Sequence, residues 1–189
     1  MKTQYPAPPP FERYVPPASV AYCQSLWHQH DFLFRVTRPR RTRLGTHVFR
    51  PQTGHEVTVN ANINPAGFLI TYLHEVAHVI TVREARRRLV PHGAAWKTNF
   101  RRLLLPVLTE AVFTPAVLEP LRVYAQNPAA STAGFPPLTQ ALQALDTPLA
   151  ETLTLHHLRE GEAFRFHHRT FVRGSLRRTR VLCIEQATG

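Results

Sequence analysis

The chain has 189 residues, 43% of them hydrophobic, which is enough apolar material for one compact domain with a small appendage and too little for two full-sized domains. Its formal charge is +11, with arginine outnumbering lysine 21 to 2, and it holds only two cysteines, Cys23 and Cys183, which excludes a disulfide framework and a four-cysteine zinc ribbon. No basic start leads into an apolar run and no stretch is long enough to cross a bilayer, so a cytoplasmic protein without a membrane partner is expected. The charge attracts polyanions, nucleic acid being the commonest, although an arginine-rich composition alone would produce the same surface.

Residues 1–18 include Pro6, Pro8, Pro9, Pro10, Pro16 and Pro17, which block helix propagation and sheet pairing and predict an extended arm without fixed structure until Pro16. From Ser19 to His30 the residues Val20, Tyr22, Cys23, Leu26 and Trp27 fall at helical spacing behind a capping serine. Strands are expected over Phe32 to Thr37, His47 to Arg50 and Glu56 to Asn60. Gly45 and Gly54 in their connections favour an antiparallel meander. Asn64 followed by Pro65 marks the start of a helix that runs through Arg86, and its apolar residues cover nearly the whole circumference, as in a buried helix.

Two more helices are expected, from Gly93 to Leu104 and from Pro115 to Tyr124. Residues 126–150 are rich in Pro, Ala, Ser and Thr and read as a linker with a short helix over Leu138 to Leu145. Beyond it, Ala163 to His167, Thr170 to Val172 and Arg178 to Ile184 read as strands around turns at His168 and Gly174, a small β module over 151–189. The main domain then spans 19–125, and the fold class is α+β: a three-stranded antiparallel sheet packed on helices, one of them buried, plus the β module.

Within the buried helix lies His74-Glu75-Val76-Ala77-His78, an HExxH motif. Its histidines are one turn apart, about 6 Å along the axis, and project from one face, so both reach a single metal ion. Glu75 lies about 100° around from His74, placed to accept a proton from water at that ion. A catalytic zinc site takes three protein ligands and keeps one position open. The third donor is expected to be His92, in Pro91-His92-Gly93, where the chain has had room to turn back; the rival Glu84 continues the same helix and points away. One zinc ion, a general base and a protein or peptide substrate are expected, although the spacing alone also fits a non-peptidase hydrolase using the same water.

The helix-borne HEVAH, the entry VTVNANINPAGFLITYLHEVAH and the later PHGAAWK together resemble the SprT-like zinc metalloprotease family over about residues 19–125. The resemblance implies a zincin-like core, zinc ligands at His74, His78 and His92, a catalytic Glu75 and zinc metalloendopeptidase activity. The family includes Spartan-like proteases acting on proteins crosslinked to DNA, which makes DNA-associated proteins an implied substrate class. Many members end in a four-cysteine zinc ribbon; here the tail is similar to that of a bacterial subgroup without it, and a second, structural zinc is not expected. Because the chain stops soon after Ile184, a closing strand is expected to be missing.

Substrate is expected to lie extended along Glu56 to Asn60 as an added strand. No donor for the developing oxyanion is evident; Tyr72 and His47 are candidates that read better as packing or surface residues. Arg38, Arg40, Arg41 and Arg43, and Arg86, Arg87 and Arg88 after the metal helix, are candidate nucleic-acid contacts, while solvated loops and helix ends would carry the same charges. A competing reading of the whole chain is a nucleic-acid-binding module with a structural zinc and no turnover.

Overall fold

The structure is a computed structural model, and it describes residues 9–40, 42–85, 90–146, 155, 157–177 and 180–186. Its described residues form five α-helices and two three-stranded sheets, a mixed α+β arrangement. The chain divides into two compact units, Met1–Asp146 and Thr147–Gly189. No helix among the described residues is long and apolar enough to cross a membrane.

In the first unit, α1 (Val20–His30) is followed by β1 (Leu33–Thr37), β2 (Gly45–Arg50) and β3 (Gly54–Asn60). The expected meander is not what forms. The strand order is β1-β3-β2, with β3 central, antiparallel to β2 and parallel to β1. The reason lies in burial: Val57 and Val59 of β3 are fully buried, and a strand packed so completely sits inside a sheet with partners on both edges. The 38–44 segment therefore crosses over instead of turning tightly. Asn60 holds that crossing, its Nδ2 donating to the carbonyls of Arg40 and Arg43 at 3.2 and 3.0 Å.

Helix α2 (Pro65–Glu84) follows directly, with the Asn64 Oδ1 accepting from the Gly67 N–H at 2.8 Å, the cap that the sequence announces. It ends at Glu84, short of the expected Arg86, which lies outside the described residues. Phe68, Leu69, Tyr72, Leu73, Val76, Ala77 and Val79 are all fully buried, so α2 is the centre of the core. Helices α3 (Ala94–Leu104) and α4 (Pro115–Gln126) complete the layer beside it.

Two segments expected to be loose are packed. Phe11 is fully buried in a short 3₁₀ turn, its ring 5.2 Å from Phe34 and 5.1 Å from Tyr72, so the proline-rich start is anchored from Pro9 onward. The expected linker carries α5 (Pro136–Asp146), whose Leu138 is fully buried. The Asn64 Nδ2 ties α5 to the start of α2 by donating to the Leu142 carbonyl at 2.9 Å and to Asp146 Oδ2 at 3.0 Å.

The second unit is an antiparallel sheet of β4 (Ala163–Phe166), β5 (Arg169–Arg177) and β6 (Arg180–Glu185). His167 and His168 both adopt positive φ, 47° and 67°, the tight two-residue turn of a hairpin. Gly174 does not turn the chain as expected; β5 runs through it at a register irregularity, where a Cβ would come within 3.1 Å of the Leu182 carbonyl.

Candidate metal centre

The local sequence builds the centre from one helix and one turn. α2 places His74 and His78 one turn apart, and the turn Val90-Pro91-His92-Gly93 closes with a Gly93 N–H to Val90 carbonyl bond of 3.0 Å. Proline at its second position and a positive φ of 55° at His92 match what a type II turn demands of these positions. That conformation normally calls for glycine or asparagine, and holding a histidine in it costs on the order of 1 kcal/mol.

The three Nε2 atoms form a nearly equilateral triangle, with sides of 3.2 Å between His74 and His78, 3.0 Å between His78 and His92, and 3.1 Å between His92 and His74. A neutral imidazole nitrogen offers either one N–H or one lone pair, so three facing a common point cannot all satisfy one another. A shared cation satisfies all three, and tetrahedral bonds of about 2.0–2.1 Å put donors about 3.3 Å apart. The residues present therefore fit a divalent metal ion, and they are the one group of three or more His, Cys, Asp or Glu among the described residues that does.

Electrostatics favours the ligating form. Burial, reinforced by His78 and His92, pulls His74 down to about 3; burial with His92 and His47 pulls His78 down to about 4; burial also lowers His92. All three are thus neutral near pH 7, as metal binding requires. Around them Trp96 closes the wall: its ring centroid is 4.6 Å from that of His74, and its Nε1 donates to the His74 carbonyl at 3.3 Å.

Glu75 is 6% exposed, and burial pushes its carboxyl up to about 8, with the Arg40 guanidinium and a hydrogen bond from the His47 backbone N–H pulling the other way. Gly45 permits this approach: a Cβ there would lie 2.7 Å from Glu75 Oε1 and 2.7 Å from the Thr71 methyl. The three histidines and Glu75 line a cavity of about 430 Å³, to whose wall Ala130, Ser131 and Thr132 also contribute.

Other candidates separate clearly. Glu84 lies outside the cluster and takes hydrogen bonds from Asn99 at 2.8 Å and Arg102 at 3.4 Å. The Tyr72 hydroxyl is spent on the Cys23 carbonyl at 2.9 Å in the core, so it does not serve an oxyanion. His47 does line the cavity, with its Nε2 2.8 Å from His55 Nδ1.

Among the arginines, Arg40 turns inward, donating to Asn60 Oδ1 at 2.8 Å and Thr46 Oγ1 at 3.3 Å, and is not a free phosphate contact. Arg38 is exposed and Arg43 sits at the cavity rim, while Arg41, Arg86, Arg87 and Arg88 lie outside the described residues. Sequence reasoning missed Gly45 and the 130–132 wall, and only the glycine carried a signal, as a small residue beside a strand. No protein-family model matches the chain, and no curated protein or solved structure does either.

Proposed function

We propose that the protein is a zinc-dependent endopeptidase of the SprT-like kind, with a zincin-like core in which His74, His78 and His92 hold one zinc and Glu75 is the general base. The observation that carries this reading is the buried Glu75 carboxyl beside three converging imidazole nitrogens on one open cavity. Zinc in such a site supplies Lewis acidity, polarising a carbonyl and acidifying water. Glu75 takes the proton of the attacking water at its carboxylate and returns it to the leaving amine, and a divalent cation beside it would favour the ionised, proton-accepting form over the one that burial alone favours.

We assign substrate to a different strand from the one the sequence suggests. β3 is paired on both sides and has no edge to offer, whereas β2 has no second partner among the described residues and its Gly45, Thr46 and His47 line the cavity. An extended peptide adds to β2, and main-chain pairing there imposes little sequence preference. The +11 charge favours substrates carried on nucleic acid. It favours equally the reading as a nucleic-acid module with structural zinc, but that reading leaves a buried carboxyl and an open coordination side without a task.

The test separates metal binding from turnover. Glu75→Gln is expected to retain one zinc per chain by elemental analysis and to lose cleavage of unfolded casein by about 10² to 10⁴. Undiminished turnover in that variant removes Glu75 from the reaction, and a zinc-loaded wild-type chain that cleaves no protein leaves the binding-module reading in place.

A further inference from the structure

A second cavity, of about 390 Å³, opens off the first, and Thr42, Arg43, Leu44, Ile70, Thr71, Ser131 and Thr132 line both. It follows α2 toward its N-terminus. Ile70 and Thr71 lie about one helical turn from His74, Gly67 about two, and Asn64 about three, so the cavity begins some 5 Å from the metal-binding face and extends roughly 10 Å further.

The chemistry of its lining selects the occupant. Gly67 and Ile70 form a buried floor, with Ile63 and Leu142 half-buried at the sides. The polar groups near that floor are already engaged within the protein. Asn64 uses its oxygen on the Gly67 N–H and its amide on the Leu142 carbonyl and Asp146. Thr71 Oγ1 donates to the Gly67 carbonyl at 2.8 Å, its methyl lying against Gly45, and Thr139 Oγ1 donates to the Thr132 carbonyl at 2.7 Å. What the deep part presents to a ligand is therefore hydrocarbon, with the exposed polar side chains confined to the rim.

Resting on the peptidase reading, we infer that this cavity is a specificity pocket that receives a large apolar side chain, of leucine, methionine or phenylalanine size, from the substrate residue flanking the cleaved bond. A strand laid on β2 sends alternate side chains to one face, and the first of them beyond the metal-binding face has the cavity within reach. Selectivity then comes from Ile63, Ile70 and Leu142, and the far wall belongs to the 126–146 segment, so a stretch that reads as a linker decides which bonds are cut.

Two readouts test this independently of each other. In the first, the zinc-loaded full chain digests a peptide mixture, and cleavage sites are mapped by mass spectrometry. Leu, Met and Phe are expected to exceed Gly and Asp by about tenfold at one position flanking the cut. Ala133→Trp, which fills the cavity from its wall, and Leu142→Ala, which widens it, are both expected to change that preference. In the second, the zinc-loaded Glu75→Gln variant binds two fluorescent peptides that differ only by Leu against Asp at that position, or by Leu against Asp at each position in turn where no cleavage is seen. Tighter binding of the Leu peptide, abolished by adding Ala133→Trp, is expected. Leu-selective binding without any cleavage upholds the pocket and sinks the peptidase reading. Cleavage with a flat preference, a preference for basic residues, or a preference that neither wall variant alters overturns the pocket, as does the absence of any side-chain selectivity in the binding assay.

Discussion

His92 shows how much a single residue reveals about selection for a site. Its positive φ suits glycine, yet the position carries an imidazole that completes the nitrogen triangle. His92→Gly should therefore separate the two roles. The metal-free variant is expected to unfold in urea within about 1 kcal/mol of wild type, because relief of the left-handed strain offsets the added freedom of the unfolded chain. Its zinc content should fall to background; full occupancy would mean that some other group supplies the third donor. At this scale the sequence was highly legible, since HExxH spacing and a histidine beside a turn-forming proline each follow from local geometry. Gly45 and Arg40 were not, because their relation to Glu75 depends on which strands lie side by side.

Among the elements, α2 and its cap were readable to the residue at the N-terminus, because Asn64 and Pro65 act within one turn. Pairing in the first sheet was not. Alternation in β1 and β3 shows which side chains face inward but says nothing of which strand lies beside which, and parallel pairing of Leu33–Thr37 with Gly54–Asn60 arises from the burial of β3 between two neighbours. The anchoring of the first segment was equally hidden, since prolines forbid regular structure without forbidding packing. Phe11→Ala is expected to lower stability by about 3–5 kcal/mol in urea unfolding, the loss typical of a buried aromatic, whereas a loose arm would give no change.

The β2–β3 hairpin adds a pH dependence. Burial, with help from His55, holds His47 at about 4, and burial with Arg83 holds His55 at about 4, against an ordinary value of 6.5. Folded-state values below the unfolded ones mean that the unfolded chain binds more protons between about pH 6.5 and 4, so stability falls on acidification through that window. The urea midpoint of the metal-free protein should drop from pH 7 to pH 5, and His47→Gln combined with His55→Gln should lessen the decline, the remainder coming from His74 and His78, which burial lowers in the same direction.

For the molecule as a whole, two units of unequal size share one chain, and the larger one ends with the helix that walls the cleft. The division into a larger part that carries the histidine cluster and a short β tail follows from the change of residue periodicity along the sequence. The membership of 126–146 does not, because a Pro- and Ala-rich composition describes a tether and a docked helix equally well until Leu138 is seen in the core. Charge belongs to this scale too. An excess of +11 surrounds the whole surface with a repulsive field whose range shrinks from about 10 Å at 0.1 M salt to about 3 Å at 1 M.

The outer side of β2 has no strand beside it among the described residues, and Val48 and Phe49 on it are 38% and 50% exposed. Such a border invites a second molecule to zip onto it. In dilute buffer like charges keep neighbours apart; concentrated salt removes that guard. Sedimentation velocity is expected to show monomers at 0.1 M sodium chloride and reversible dimers at 1 M, with Phe49→Lys restoring the monomer. The strand border to which we assign a peptide would then be the seam at which copies occlude one another.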